Sequence, residues 1–451
     1  MSDTFKIKRG VDIKLQGKAE QVYADAELPE TFAVKPTDFP GARLKLAVRE
    51  GDEVKAGSRV LFNKDREEVV ITSPVSGEVA EIRRGAKRKL LEIRILADKE
   101  NKYLDFGAAD PATLDREAVK KKLLESGCWA FIKQRPYNIL ANPNEQPKAI
   151  FISCFDSVPL GIDYDFALHG TEKEFQAGIE AIKKLTEGDV HLGLNADSKP
   201  SSVFTECKGV KLHRFRGPHP AGNVGVQINR VDPINKGEYV WTLNPQQVVI
   251  IGRLFLTGNY DARINIPIAG SHLNNPAYHN TIMGASVKNF LEGNLKAGKS
   301  RIISGNVLTG TRITEDGYLG FFDQQLTVIP EGGEDQFFGW ITPNFDKFSL
   351  SRTLFSWIMP NKAYNLDASM NGEERAFVIT GEYEKVFPFD IYPTQLIKAI
   401  MVKDVEAMEN LGIYEVVEED FALCEVVCTS KIPVQQTVRE GLDLMLQELG
   451  D

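Results

Sequence analysis

The run from Lys148 to Leu194 constrains the fold more than any other stretch. Ala149-Ile150-Phe151-Ile152-Ser153 is a short, nearly continuous apolar run between polar flanks, which predicts a buried strand over Lys148 to Cys154. Thr171 to Leu185 has the periodicity of an amphipathic helix, with Thr171 and Glu174 spaced as a capping box and Gly188 as a stop. Val190-His191-Leu192-Gly193-Leu194 then predicts a second strand. Strand, helix and strand at this spacing predict a parallel α/β sheet. Around this unit, Asp110 to Glu125 reads as a helix with Asp110 as N-cap and Pro111 at N1, ending at Ser126-Gly127. Asn244-Pro245 opens another, running through Phe255 and closed near Gly258.

A chain of 451 residues has room for about three domains with cores of their own. The element pattern is that of an α+β multidomain protein. Residues 36 to 97 alternate short apolar stretches with glycines and read as all-β. Within them Glu50-Gly51-Asp52-Glu53-Val54 and Ser73-Pro74-Val75-Ser76-Gly77 resemble the biotinyl/lipoyl barrel-sandwich hybrid module. A carrier of that kind needs a lysine at a hairpin tip, where this chain has Arg66, so the module reads as structural. We therefore expect an N-terminal arm and barrel-sandwich hybrid over 1–100 and a Rossmann-like α/β domain over 101–260. From 261 to 335, a strand at Arg263 to Ile268, a short helix around Ser286 to Glu292 and a strand at Ser300 to Ser304 fit a β-grasp (SLBB-like) domain. A mostly helical domain is expected over 336–451, with helices at Leu350 to Trp357, Thr394 to Asn410 and Pro433 to Leu449.

Charge and cysteine content exclude several roles. A net charge of -9, with no basic domain, argues against nucleic acid as a partner. Five cysteines at irregular spacings read as reduced thiols. No apolar run approaches the roughly 20 residues of a membrane span, so no direct span is expected and a membrane role must come through partners. Arg83, Arg84, Lys87, Arg88 and Lys89 crowd one hairpin around Gly85, either as a solvated tip or as a docking spot for an acidic partner or anionic headgroups.

One stretch concentrates candidate chemistry. Lys211 to Gly225 opens as a strand, with Leu212 and Phe215 as inward residues, and breaks at Gly217-Pro218. Pro218 and Pro220 fix φ on either side of His219. His213, Arg214, Arg216 and His219 thus sit on a strand end and a stiff loop, an arrangement suited to an anion, a polar ring or an acidic surface, or simply to a solvated sheet edge. Cys207, His213 and His219 lack the close pair that zinc sites use.

Arg216-Gly217-Pro218-His219-Pro220-Ala221-Gly222, Tyr239-Val240-Trp241-Thr242, Val249-Ile250-Ile251-Gly252, Arg301-Ile302-Ile303-Ser304-Gly305 and Gly339-Trp340 together resemble the A subunit of the Na+-translocating NADH:quinone oxidoreductase (NQR) family. The order of parts is also similar to the flavin-binding subunit of respiratory complex I and to its relative in the Rnf complex. In those relatives a glycine-rich loop that receives the flavin phosphate follows the helix ending here near Gly127. This chain has Cys128-Trp129-Ala130-Phe131-Ile132-Lys133 there, and Phe155-Asp156-Ser157-Val158-Pro159 lacks the relatives' glycine-flanked glutamate for NADH. Against the Rnf relative's ferredoxin-like run, Cys424 and Cys428 remain but Glu418, Phe421 and Thr429 replace two ligands and the proline. The pair reads as vestigial, two buried thiols rather than a cluster site.

The resemblance implies no flavin, iron–sulfur or metal site on this chain, with NADH, FAD, FMN, riboflavin and an iron–sulfur centre used by other subunits. It implies partners among the membrane and flavin-carrying subunits, quinone as substrate, and a place on the cytoplasmic side of the bacterial inner membrane. Quinone contact is expected at Phe131, Arg135, Pro136 and Tyr137 in the vacated flavin loop, and at His213, Arg214, Arg216 and His219. Glu418 and Glu419 read as helix-surface charges, and His169, His272 and His279 as loop or core residues.

Overall fold

In a computed structural model, residues 4–24, 27–333, 338–339, 344–351 and 353–449 are described. Trp340 and the expected 335/336 boundary lie outside them, as does Arg352 within the expected Leu350 to Trp357 helix.

The α/β domain is built on a seven-stranded sheet in the order Thr4–Lys6, Lys211–Arg216, Asp189–Asn195, Ala149–Ser153, Val240–Leu243, Lys133–Arg135, Ile139–Leu140. The first five are parallel, with Ile150 opposite Val190 on one side and Trp241 on the other; each of the last two pairs antiparallel to the strand before it. Strand order reverses on either side of Ala149–Ser153, which makes the carboxyl ends of these strands the place where ligand crevices form. The helices Glu172–Lys183 and Pro245–Thr257 cross at glycines. A Cβ on Gly178 would lie 2.1 Å from the Val248 carbonyl oxygen, and one on Gly252 1.7 Å from that of Glu174. Asn244 and Gln247 close a reciprocal capping box on the second helix.

The N-terminal module folds as two small sheets, one of Thr31–Val34, Leu90–Ala97, Gly77–Arg84 and Glu53–Val54, the other of Leu44–Leu46, Arg59–Asn63 and Val70–Thr72. Its inward Val60, Leu61, Ile71, Val79, Ile93 and Ile95 are buried in one cluster with the α/β core. The β-grasp-like sheet has six strands, with a central parallel pair between Arg263–Ala269 and Leu326–Pro330. The arm before residue 24 belongs to neither small barrel sheet. Thr4–Lys6 forms the edge of the α/β sheet, and Glu20–Tyr23 adds to Ala277–Ile282 at the edge of the six-stranded one.

Four local expectations are corrected. The helix expected from Asp110 begins at Arg116, where Asp115 accepts from the Ala118 N–H; Asp110 caps a separate 3-10 turn, Pro111–Thr113. Thr171 forms no capping box, because its backbone (φ -107, ψ 25) is not extended and its hydroxyl donates to the Leu168 carbonyl instead. Leu350 to Trp357 is not a helix. The Ser349, Ser351 and Thr353 hydroxyls bond one another and the local backbone, and only a 3-10 turn, Phe355–Ile358, forms before Pro360. Thr394 to Asn410 breaks into Pro393–Met401 and Val405–Asn410, since Lys403 is left-handed (φ 58) and Asp404 starts a new cap. The final helix, Val434–Leu449, packs in a second core with Leu396, Ile400, Phe421 and Cys424.

Candidate functional site

At the carboxyl end of the sheet, the Ala149–Ser153 strand runs into Phe155-Asp156-Ser157, and Lys211–Arg216 runs into the proline-rich loop ending at Gly225. The two loops are tied together. Ser153 Oγ donates to the Gly222 carbonyl (2.7 Å), the Gly222 N–H donates to Ser157 Oγ (2.8 Å), and Ser157 Oγ lies 3.0 Å from His219 Nδ1. The His219 N–H donates to Asp12 at 2.9 Å, and its carbonyl accepts the Val11 N–H, so the N-terminal arm closes over the loop. His219 is 2 % exposed; burial pushes its imidazole down to about 4, leaving it neutral at pH 7. Desolvation pushes the neighbouring Asp156 carboxyl up to about 6, against N–H donors from Val158 and Ser157.

Beyond Gly225 the loop meets a buried charge cluster. Arg135 is 2 % exposed and donates to Glu419 (2.5 Å) and Asp420 (3.2 Å). Asp420 also accepts the Val417 N–H at 2.9 Å. Asn138 Nδ2 donates to Glu418 at 2.9 Å, and Arg439 donates to the Tyr137 carbonyl at 2.7 Å. Burial pushes the Asp420 carboxyl up to about 7 in spite of the guanidinium beside it. A Cβ on Gly225 would sit 2.4 Å from Arg135 Nη1 and 2.6 Å from Asp420 Oδ1, so this glycine lets the helix Val224–Val231 rest on the cluster. Glu419 is therefore half of a salt bridge to the α/β domain rather than a free helix-surface charge. Asp420 was not singled out by the sequence. The legible signal was the triplet Glu418-Glu419-Asp420, which has more acid than one exposed turn needs.

Arg135 and His219 thus flank one loop from two sides. The other candidates are placed differently. Phe131 is fully buried, stacked between Tyr260 (6.1 Å) and Phe321 (5.5 Å). Cys128, Trp129, Ala130 and Ile132 are equally closed, with Trp129 Nε1 donating to the Ala141 carbonyl, so the segment is core. Pro136 and Tyr137 are buried, and the Tyr137 ring meets Tyr414 edge-on at 6.2 Å. His213 Nε2 lies 2.8 Å from His191 Nδ1, with the rings 5.0 Å apart. Arg214 is half-buried, and Arg216 is exposed and paired with Asp197 at 2.6 Å. These three lie along the strand Lys211–Arg216. As expected for the inward face, Phe215 is buried, whereas Leu212 is only half-buried.

Cys424 and Cys428 are both buried, with the Tyr383 hydroxyl donating to Cys428 Sγ at 3.0 Å. Among the described residues, no group of three or more His, Cys, Asp or Glu could hold a metal ion. Among the same described residues, no helix is long and apolar enough to cross a membrane. Two open cavities lie away from the loop. One of about 790 Å³ is lined by Pro111, Gln176, Cys207 and Phe255. The other, of about 1350 Å³, separates the Gly77–Arg84/Leu90–Ala97 hairpin from the Thr311–Ile313 edge strand.

Three family models match in succession: the NqrA N-terminal barrel-sandwich hybrid domain over residues 5–98, the NqrA second alpha/beta domain over 114–260, and the NQRA C-terminal domain (SLBB) over 265–315. The chain is 36% identical over 446 residues to the Na(+)-translocating NADH-quinone reductase A subunit of Vibrio campbellii, covering 98% of this chain and 99% of that protein. The chain belongs to the NqrA family, the A subunits of Na(+)-translocating NADH-quinone reductases. Family members from Photorhabdus laumondii and Neisseria meningitidis are 37% and 36% identical, each over 98% of this chain and the whole of the relative. Among solved structures, a chain of an NAD+-reducing nickel–iron hydrogenase aligns at 11% identity and a TM-score of 0.35, covering 77% of this chain and 67% of that one. As a member of the NqrA family, the chain is one subunit of an oxidoreductase complex, and the barrel-sandwich, α/β and SLBB parts follow one another as in its relatives.

Proposed function

We propose that the chain is the extrinsic, cytoplasm-facing subunit of a bacterial Na+-translocating NADH:quinone reductase. It contributes to quinone reduction coupled to Na+ export and holds no flavin or iron–sulfur centre of its own. The observation that carries this reading is the identity to NqrA relatives, which runs along nearly the whole of both chains. NADH oxidation and the FAD, FMN, riboflavin and iron–sulfur chemistry then fall to the membrane and flavin-carrying partners.

Within the chain, quinone contact is assigned to Phe131, Arg135, Pro136 and Tyr137 together with His213, Arg214, Arg216 and His219. The loop Pro220–Gly225 is its centre, because it starts beside His219 and ends against Arg135. Reduction of a quinone to a quinol takes two electrons and two protons. A cation near the ring oxygens favours the anionic intermediates, and a neutral imidazole can donate to a carbonyl oxygen without bringing charge. Electrons arrive from partner subunits.

A photoreactive quinone analogue on the assembled complex tests this reading. Label is expected on peptides spanning 128–137 or 211–225 of this chain, and His219→Gln is expected to raise the KM for quinone in an intact complex. Label confined to other subunits, with quinone kinetics unchanged in His219→Gln, would leave the chain a structural docking subunit. Flavin or iron recovered stoichiometrically with the purified chain would refute the cofactor-free part.

A further inference from the structure

The hairpin formed by Gly77–Arg84 and Leu90–Ala97 carries a feature that the quinone reading does not use. Its inner half is held firmly: Val79, Ile93 and Ile95 are buried in the core, and the two strands pair from Gly77↔Ala97 to Arg84↔Leu90. Its outer end projects Arg83, Arg84, Lys87, Arg88 and Lys89, all exposed, from a 3-10 turn over Ala86–Arg88. Lys87 and Arg88 have left-handed backbone (φ 53 and 61).

Some of the cations are engaged. Arg83 pairs with Glu92 at 3.5 Å, and Arg84 donates to the Arg88 carbonyl at 3.3 Å. Among the described residues, no ion pair includes Lys87, Arg88 or Lys89. Five cations at one tip of a chain of net charge -9 mark a surface for anions.

The kind of anion follows from what the tip lacks. A protein partner is normally gripped through aromatic or aliphatic anchors that are fully desolvated, with lysine depleted. Here the turn offers only Gly85 and Ala86 besides its cations, and nothing fixes the three outermost side chains in one geometry. Exposed, solvated cations on a rigid stalk match a diffuse sheet of negative charge, such as the headgroup layer of a bilayer. Membership in a Na(+)-translocating reductase family, with no spanning helix among the described residues, makes such a surface a near neighbour.

We propose that the Arg83–Lys89 hairpin tip is an electrostatic foot that rests on anionic phospholipid headgroups. It steadies the protein against the bilayer alongside its contacts with partner subunits.

The test is flotation of the purified full-length chain with vesicles of phosphatidylcholine, with and without about a third of phosphatidylglycerol. The chain is expected to rise with the anionic vesicles only, and to be released between about 0.1 and 1 M salt. Each cation near such a surface strengthens binding about fivefold, so Lys87→Gln/Arg88→Gln/Lys89→Gln is expected to weaken the partition roughly a hundredfold. Its thermal unfolding should match wild type, since the three side chains are exposed. Neutralising Lys121, Lys173 and Lys208, exposed elsewhere, should leave flotation nearly unchanged. Wild-type chain that stays down with anionic vesicles, or a triple variant that rises as well as wild type, overturns the proposal. So does a triple variant that floats normally but no longer joins the other subunits, which would assign the tip to an acidic protein surface.

Discussion

Replacing Arg135 by methionine removes one cation and leaves two acids facing an empty place. Glu419 can turn toward water, since its side chain is 38% exposed, and its share of the loss is at most about 1 kcal/mol. Asp420 cannot, because its side chain is fully buried. Breaking a buried pair by deleting one partner costs about 3–5 kcal/mol. The upper end is out of reach here, because burial already holds the Asp420 carboxyl at about 7, and without the guanidinium it simply takes a proton. We therefore expect a loss of about 3 kcal/mol at pH 7. In the variant the folded-state pKa of Asp420 lies above the unfolded value of roughly 3.9. The stability associated with its neutral form is then complete below that value and is lost as pH rises toward the folded pKa, at up to about 1.4 kcal/mol per pH unit. Wild type shares this slope up to its own value of about 7, so the deficit of Arg135→Met relative to wild type should widen only above about pH 7. Arg135→Met/Asp420→Asn should recover about 2 kcal/mol, since asparagine still accepts the Val417 N–H without carrying charge. Thermal unfolding with hydrogen exchange on Ala422–Val427 and Val434–Leu449 reads the effect where the cluster sits. A deficit below about 1 kcal/mol, or one that narrows as pH rises, refutes the argument.

Other expectations are narrower. Gly225→Ala should destabilise by about 1–3 kcal/mol, because its Cβ must displace Arg135 or Asp420, and Arg135→Met should relieve part of that loss in the double variant. Gly178→Ala should do at least as much harm, since the obstacle is the Val248 carbonyl rather than a movable side chain; denaturant midpoints compare the two. The folded-state pKa of His219 is depressed, so its contribution is present above the unfolded value near 6.5 and lost as pH falls toward 4. His219→Gln should accordingly gain on wild type by about 2 kcal/mol between pH 7 and pH 4.5, read from paired melts. Arg216→Ala should change stability by less than about 1 kcal/mol, since the pair with Asp197 is exposed; unchanged quinone turnover in that variant would remove Arg216 from the contact.

The central layer of the fold was legible because each element there obeys a local rule. Ala149–Ser153 is uniformly apolar, and Asn244-Pro245 carries both a cap and a pre-set φ, so strand and helix form where the residues ask for them. Elsewhere local rules competed. Thr171 has the right partner at the right spacing, yet its backbone torsion is set by the preceding turn and its hydroxyl is spent on Leu168. Leu350 to Trp357 reads as a helix, yet the Ser349, Ser351 and Thr353 hydroxyls are spent on one another and on the local backbone. The Arg135 cluster could not be read at all from local pattern, because its partners are almost three hundred residues away. The bulky Cys128–Ile132 segment was legible as a filled place, and the structure adds what fills it, a Trp129–Trp241 edge contact at 5.3 Å and the Phe131 stack.

The N-terminal arm has a consequence for how the protein comes into being. Thr4–Lys6 must wait for Lys211–Arg216 before it has a neighbour, and Glu20–Tyr23 must wait for Ala277–Ile282. At ribosomal speeds that delay is roughly ten to fifty seconds. A segment made well before its partners is thus among the last to find its seat, and until then its two extended stretches have no strand to pair with. A substitution that weakens either stretch would therefore be felt less in the finished molecule than during its synthesis.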